Sequence, residues 1–119
     1  MSEARVADCL FCRIVTGEIP AAKVHEDDAV LAIRDIAPRA PTHILLFPKA
    51  HIASAVDLTP ADSELLGRIF GAAAELARAE GIAERGYRVV TNVGAWGGQS
   101  VDHLHFHLMG GRAFEWPPG

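Results

Sequence analysis

Val101-Asp102-His103-Leu104-His105-Phe106-His107-Leu108-Met109 alternates imidazole with apolar side chain over its last seven residues. A period of two is that of a β-strand, whose successive side chains leave on opposite faces. The spacing predicts a strand over Val101 to Met109, with the three histidines on one face and Leu104, Phe106 and Leu108 entering a core on the other. Imidazoles about 7 Å apart along a strand are costly to crowd unless they are neutral, hydrogen-bonded or metal-bound. Their titration near neutrality suits proton transfer and nucleophilic attack. The same spacing also suits three ligands to one metal.

Upstream, Tyr87 to Val93 reads as the neighbouring strand, joined by the loop Gly94-Ala95-Trp96-Gly97-Gly98-Gln99-Ser100. The backbone N–H groups of Gly97 to Ser100 can approach an anionic phosphate closely, with the Ser100 hydroxyl as a further donor. No Gly-rich turn ending in Gly-Lys-Ser/Thr occurs, and no Gly-x-Gly-x-x-Gly fingerprint, which weighs against ATPase and dehydrogenase chemistry. Thr59-Pro60 with Asp62 starts a long helix, along which Leu65, Leu66, Ile69, Phe70, Ala73, Leu76 and Ala77 recur at helical spacing until Gly81. Thr42 to Phe47 is a β-prone run ending at Pro48, and residues 23 to 36 read as a hairpin turning at Glu26-Asp27-Asp28. Asp8 is placed to cap a short helix carrying Cys9, Phe11, Cys12, Ile14 and Val15, with Gly17 as its stop. The tail Trp116-Pro117-Pro118-Gly119 is expected to be extended. This order predicts an α+β fold: an antiparallel five-stranded sheet with one long and one short helix, the helices on one side.

At 119 residues and half apolar, the chain has room for one domain with its own core, over 1–119, and none for a second. Residues 1–8 read as a flexible terminus. Eleven Lys and Arg against fifteen Asp and Glu give a formal charge of −4, which argues against nucleic acid or anionic membrane as a partner. No apolar run is long enough to span a bilayer, and Met1 to Ala7 is unlike a secretory signal, so a cytoplasmic location is expected. In such a reducing compartment Cys9-x-x-Cys12 points to metal binding or redox exchange before a structural disulfide.

The His-Leu-His-Phe-His-Leu-Met run resembles the His-x-His-x-His-x-x signature of the histidine-triad superfamily, in which x is apolar. Ile19-Pro20, Glu26-Asp27-Asp28, Asp35-Ile36, Ala40-Pro41-Thr42-His43, Pro48-Lys49-x-His51, Gly97-Gly98-Gln99-Ser100 and Gly110-Gly111-Arg112 extend the resemblance over residues 9 to 119. The ending Trp116-Pro117-Pro118-Gly119 is similar to the Hint branch, the purine nucleoside phosphoramidases. It is unlike the Fhit-like dinucleotide hydrolases or the galactose-1-phosphate uridylyltransferases.

The resemblance implies hydrolysis of purine nucleoside phosphoramidates, such as adenosine 5'-phosphoramidate or aminoacyl-type adenylates. His105 would be the nucleophile, its Nδ1–H held by a backbone carbonyl, with His103 setting its geometry. His107, Asn92, Ser100 and the N–H groups of the loop through Gly98 and Gln99 would surround the phosphoryl oxygens, and Ser100 could protonate the departing amine. The base would lie among Phe11, Ile14, Ile19, Ile36 and Leu45, which pattern alone assigns to ordinary core. Asp35, otherwise a strand-end turn residue, would take the ribose hydroxyls. His43 is either a satisfied core histidine or, as in relatives, a residue behind the nucleophile's strand. Two displacements follow: His105 expels the amine, then water cleaves the nucleotidyl-histidine, with no metal required for the chemistry.

The cysteine pair resembles the amino-terminal feature of zinc-bearing bacterial members, in which two cysteines act with two histidines. The matching histidines are His51 and His103, giving a structural Cys₂His₂ zinc site that staples the first helix to the sheet. Thioredoxin-like exchange is the rival, although that motif normally follows a strand. The resemblance also implies a homodimer whose sheet continues across the twofold axis, with the 112–119 tail carrying Trp116 near the partner's active site. Two rival functions use the same residues: a purine nucleotide sensor or scaffold with incidental turnover, and a dinucleoside polyphosphate hydrolase. Trp96 departs from the small or acidic residue usual at its position; it could stack on a base, cover the site or, the reading favoured here, brace the loop. Arg34 has no assigned role.

Overall fold

The computed structural model describes residues 6–119. In chain order they form helix α1 (Leu10–Val15), strands β1 (Lys23–Glu26), β2 (Val30–Arg34) and β3 (Thr42–Pro48), and 3-10 turns at Ala55–Asp57 and Pro60–Asp62. Helix α2 (Ser63–Ala79) and strands β4 (Arg88–Val90) and β5 (Phe106–Gly110) complete the chain. The strands make one antiparallel sheet in the order β1-β2-β3-β5-β4. The fold is therefore the α+β arrangement expected, with one long and one short helix.

The two faces of the sheet are covered by different helices. Val30, Ala32, Ile44, Leu46, Leu104, Phe106 and Leu108 pack with Ile69, Ala72, Ala73, Leu76 and Ala77 of α2. Leu31, Ile33, Leu45 and Phe47, the alternate residues of the same strands, pack with Phe11, Cys12 and Ile14 of α1. The expectation of helices on one side is thus corrected. The signal for two covered faces lay in the continuous apolar run of β3, every residue of which is buried, because a strand wet on one face alternates instead. Phe11 stacks on Phe47 at 4.4 Å between ring centroids, and burying each such side chain is worth about 1.5–3 kcal/mol.

Caps and turns set the ends of these elements. Thr59 and Asp62 form a reciprocal capping box ahead of α2. Asp27 turns the β1–β2 hairpin by accepting the N–H groups of Ala29 and Val30, each at 2.8 Å. The cap of α1 is Cys9, not Asp8: its sulfur accepts the Cys12 N–H at 3.4 Å. The flexible terminus expected over 1–8 falls on residues 1–5, outside the described residues, and on Val6 to Asp8, which form a turn in which the Val6 carbonyl accepts the Cys9 N–H. Phe70, expected on the packing face of α2, is 50 % exposed and meets only the edge of Phe106.

The largest departure concerns the histidine run. Strand β5 begins at Phe106, not Val101, and β4 covers Arg88–Val90, not Tyr87 to Val93. Two bonds explain the shortening. Leu104 gives its N–H to the Ile52 carbonyl, outside the sheet. The Thr91 hydroxyl donates to the His105 carbonyl at 2.8 Å and so takes a place where β4 would have continued the ladder. Only His107 of the three histidines stands on the strand, yet the alternation persists: Leu104, Phe106 and Leu108 pack towards α2, while on the other face His103 and His105 both meet Phe11 and His105 meets His107.

Candidate active site

The three histidines share that face but are held by different hydrogen-bond partners. His103 is fully buried. Its Nε2–H donates to the Pro48 carbonyl at 2.8 Å, which leaves the Nδ1 lone pair aimed at Cys9 and Cys12. His105 is buried against the edge of Phe11, with ring centroids 5.1 Å apart. Its Nδ1 lies 2.7 Å from the His103 carbonyl. A carbonyl only accepts, so Nδ1 carries the proton of the neutral ring and Nε2 keeps its lone pair.

His107 is set by its neighbours across the sheet, Leu45 on β3 and Val90 on β4. Its Nδ1 is 2.9 Å from His43 Nε2. His43 Nδ1 in turn accepts the backbone N–H of Arg39 at 3.0 Å. That N–H fixes the whole relay: His43 bears its proton on Nε2 and donates to His107 Nδ1, so the remaining proton of His107 is on Nε2. The relay therefore ends on an N–H donor beside His105, whose ring centroid is 5.2 Å away.

The same reasoning separates this trio from a metal site. Asp35, His43 and His107 offer atoms within 4.8 Å of one another, and Asp35 Oδ2 lies 3.4 Å from His43 Nε2. A metal on that nitrogen would require His43 to become an imidazolate, because Arg39 already occupies Nδ1. Burial lowers the pKa of His43, with Asp35 opposing and Arg39 adding to the shift. Burial, followed by the charges of His105 and His43, lowers His107 to about 4. Both rings are neutral at pH 7, and the Asp35–His43 contact is not an ion pair there.

A stability prediction follows from these shifts. His107 titrates near 4 in the fold against an ordinary 6.5, so the unfolded chain takes up the proton first as pH falls. Its contribution is complete above about pH 6.5 and is lost between there and pH 4, on the order of 1–3 kcal/mol. Melting temperature followed over that window should fall less steeply for His107→Gln than for the parent. Parallel curves would show that His107 titrates as it does in water.

An apolar cavity of about 310 Å³ adjoins the imidazoles through Phe11 and Leu45. It gathers Phe11, Ile14, Ile19, Asp35, Ile36 and Leu45, with Ile36 fully exposed at the rim. Leu10, Pro20, Ala21, Ala22, Ile33 and Arg34 also line it; of these, Ile33 was readable from its alternation with Asp35. Arg34 itself is spent on a bidentate ion pair with Glu80 that ties β2 to the end of α2. A groove of about 430 Å³ between Gly81 and Ala113 is larger, but it contains none of the histidines.

The loop after β4 is tightly braced. Asn92 Nδ2 donates to the Gly97 carbonyl at 2.7 Å. Gln99 accepts the Gly94 N–H and donates to the Ala53 and Val101 carbonyls, so its side chain is committed within the protein. A Cβ on Gly97 would run into the Val93 backbone. Gly98 sits at φ +80° in the same turn. Ser100 is exposed and lines a groove with Cys9 and His51, with no contact to His105 among the described residues. Trp96 is fully exposed, so it does not brace the loop as expected; the Asn92 and Gln99 amides do that. Trp116 is 85 % exposed and is not among the residues lining the cavity beside the imidazoles.

A second constellation lies behind His103. Cys9, Cys12, His51 and His103 present ligand atoms within 4.8 Å of one another, three of the residues buried. Cys9 Sγ is 3.3 Å and Cys12 Sγ 3.7 Å from His103 Nδ1, and Cys12 Sγ is 3.4 Å from His51 Nδ1. A tetrahedral zinc with ordinary bond lengths separates S and N ligands by about 3.5 Å, so the donor set fits that ion. Pro48, holding the other nitrogen of His103, fixes the ligating tautomer. No helix among the described residues is long and apolar enough to cross a membrane.

Comparison with known proteins adds four findings. The family model described as the HIT domain matches residues 16–114. The purine nucleoside phosphoramidase of Escherichia coli strain K12 is 47 % identical over 105 residues, 88 % of each chain. A HIT family hydrolase from Legionella pneumophila superposes with a TM-score of 0.92 at 57 % identity, covering 94 % of this chain and all of that one. A zinc-bound histidine triad family protein from Mycobacterium smegmatis superposes with a TM-score of 0.76 at 32 % identity, covering 88 % of this chain and 76 % of that one.

Proposed function

This chain belongs to the HIT domain family, and from that premise we propose that it hydrolyses purine nucleoside phosphoramidates to nucleoside monophosphate and amine. The observation that carries the reading is the His105 ring, with its Nδ1–H fixed on the His103 carbonyl and its Nε2 lone pair beside the His107 donor. The name of the Escherichia coli relative supports the substrate class.

In the first step His105 Nε2 forms a bond to phosphorus as the phosphorus–amine bond breaks, and the departing nitrogen takes a proton. Ser100 is the proposed donor, which requires its hydroxyl to turn from the groove towards the site. His107 Nε2–H and the second Nδ2–H of Asn92 meet the phosphoryl oxygens, where charge grows in the transition state. The N–H groups of Gly98 and Gln99, implied there by the resemblance, are held by the Ala95 and Gly94 carbonyls and would have to turn outward to join them. In the second step water attacks phosphorus and gives up a proton that restores the Ser100 hydroxyl, the electron pair of the breaking phosphorus–nitrogen bond returns to His105, and the monophosphate leaves. Neutral His43 holds His107 in the donating tautomer throughout.

The base is assigned to the cavity of Phe11, Ile14, Ile19, Ile36 and Leu45, and the ribose hydroxyls to Asp35, whose carboxylate stands between that cavity and His43. Zinc is assigned to Cys9, Cys12, His51 and His103, where it would supply only rigidity. We assign the whole of 1–119 to one such domain, working in the cytoplasm as a homodimer. The edge position of β4 supports a sheet continued across the twofold axis. Exposed Phe70, Gly67 and Gly71 on α2 support helix contact there. The 112–119 tail would then bring Trp116 to the partner's site.

Rates measured side by side on adenosine 5'-phosphoramidate and diadenosine polyphosphate test the substrate class. The phosphoramidate should be turned over faster by at least about two orders of magnitude, the equivalent of roughly 2.7 kcal/mol of transition-state preference. Faster cleavage of the polyphosphate would move the chain to dinucleotide hydrolysis, and binding without turnover would make it a sensor.

A further inference from the structure

Trp96 exposes its whole side chain to water, the most complete exposure among the large apolar residues described. A side chain of this type ordinarily buries 150–250 Å². Mobility does not account for it, because the loop beneath is fixed from inside. Gly97, Gly98 and Gln99 donate backbone N–H groups to Gly94, Ala95 and Gly94. Asn92 and Gln99 pin the loop to itself and to Ala53, and Gly97 is packed so closely on Val93 that no side chain fits.

A short chain of contacts relates this indole to the nucleophile. The His105 carbonyl accepts from the Thr91 hydroxyl, Asn92 follows Thr91, its amide holds Gly97, and Gly97 follows Trp96. Two hydrogen bonds and two peptide steps thus connect the backbone of Trp96 to the nucleophile. To act on a substrate, the exposed indole must reach a substituent on an amine attached to phosphorus at His105 Nε2. The base cavity lies on the other side of Phe11, so the two ends of a substrate would not compete for the same surface.

The chemistry of the surface narrows the occupant. From Thr91 to Val101 there is no ionisable side chain, so this loop has nothing to select an acidic or basic amine. It offers one exposed π face on a fixed backbone. We propose that Trp96 is a specificity residue for the leaving group, stacking on phosphoramidates whose amine carries a planar aromatic substituent. This rests on the hydrolase reading above, and because the loop backbone is already fixed, stacking has only the indole side chain left to order.

The experiment compares the N-benzyl and N-cyclohexylmethyl amides of adenosine 5'-monophosphate, which differ in the flatness and π character of the ring, as substrates for the parent, W96F and W96A proteins. The parent should favour the benzyl amide in kcat/KM by about 3- to 10-fold, the range of an aromatic stacking contact. W96F should keep part of the preference, and W96A should bring the ratio within about twofold of unity. A ratio unchanged in W96A, or equal losses on both amides, would overturn the assignment. Parent protein that cleaves neither amide nor the unsubstituted phosphoramidate would overturn the hydrolase reading itself, a result that differs from any change in the ratio.

Discussion

His105→Asn is expected to lower turnover of adenosine 5'-phosphoramidate by a factor on the order of 10⁴ or more, the scale on which removal of a nucleophile acts. Asparagine is the informative replacement because its amide N–H can still reach the His103 carbonyl that now takes His105 Nδ1–H at 2.7 Å. The buried volume against Phe11 is largely kept, so folding should be spared. Affinity for adenosine monophosphate should stay within about tenfold, since the base and ribose contacts lie on other residues and one lost contact costs about 1 kcal/mol. Rate and affinity are read on the same preparation. A loss of less than about 10² in rate would mean that His105 positions a water instead of attacking phosphorus.

Removing one sulfur from the metal cluster should have the second large effect. Cys12→Ser is expected to reduce bound zinc from about one per chain to near zero, because a hydroxyl is a poor fourth ligand for that ion. The melting temperature should fall by roughly 10 °C, given that a few kcal/mol shifts a domain of this size by several degrees per kcal/mol. Turnover should fall with it, since His103 offers Nδ1 to the cluster and its carbonyl to the nucleophile. Chelation of the parent followed by zinc addition supplies the same comparison without a substitution. Parent protein that is metal-free when purified and equally stable after chelation would remove zinc from the account.

Elements with strong local signals were legible before any coordinates. The alternation at 103–108, the apolar face from Leu65 to Ala77 and the Thr59-Pro60-x-Asp62 start specify their elements through backbone periodicity and capping, which act within a few residues. What escaped was set by partners far away in the chain. The early end of the histidine strand depends on Ile52 and Thr91 reaching Leu104 and His105. The second helix face depends on α1 returning across β2 and β3. Nothing in local propensity encodes either.

The site divides along the same line. His105 and the Cys₂His₂ set were named from the motif and its resemblance, and the coordinates bring all four metal-site residues together. The tautomer of His107 was beyond reach because it is decided by the backbone N–H of Arg39, two bonds removed through His43. Trp96 departs from the expected brace for a comparable reason. A tryptophan in a glycine-rich loop suggests an anchor, but here glycine packing and two amide side chains had already done the anchoring.

The most direct test is to mix enzyme with limiting adenosine 5'-phosphoramidate, quench during the first turnover and map the adduct by mass spectrometry of peptides. The account requires an adenylyl group on the peptide containing His105, formed and lost at rates that match turnover, and absent in His105→Asn. Full turnover with no adduct, or an adduct on His103 or His107, would contradict it.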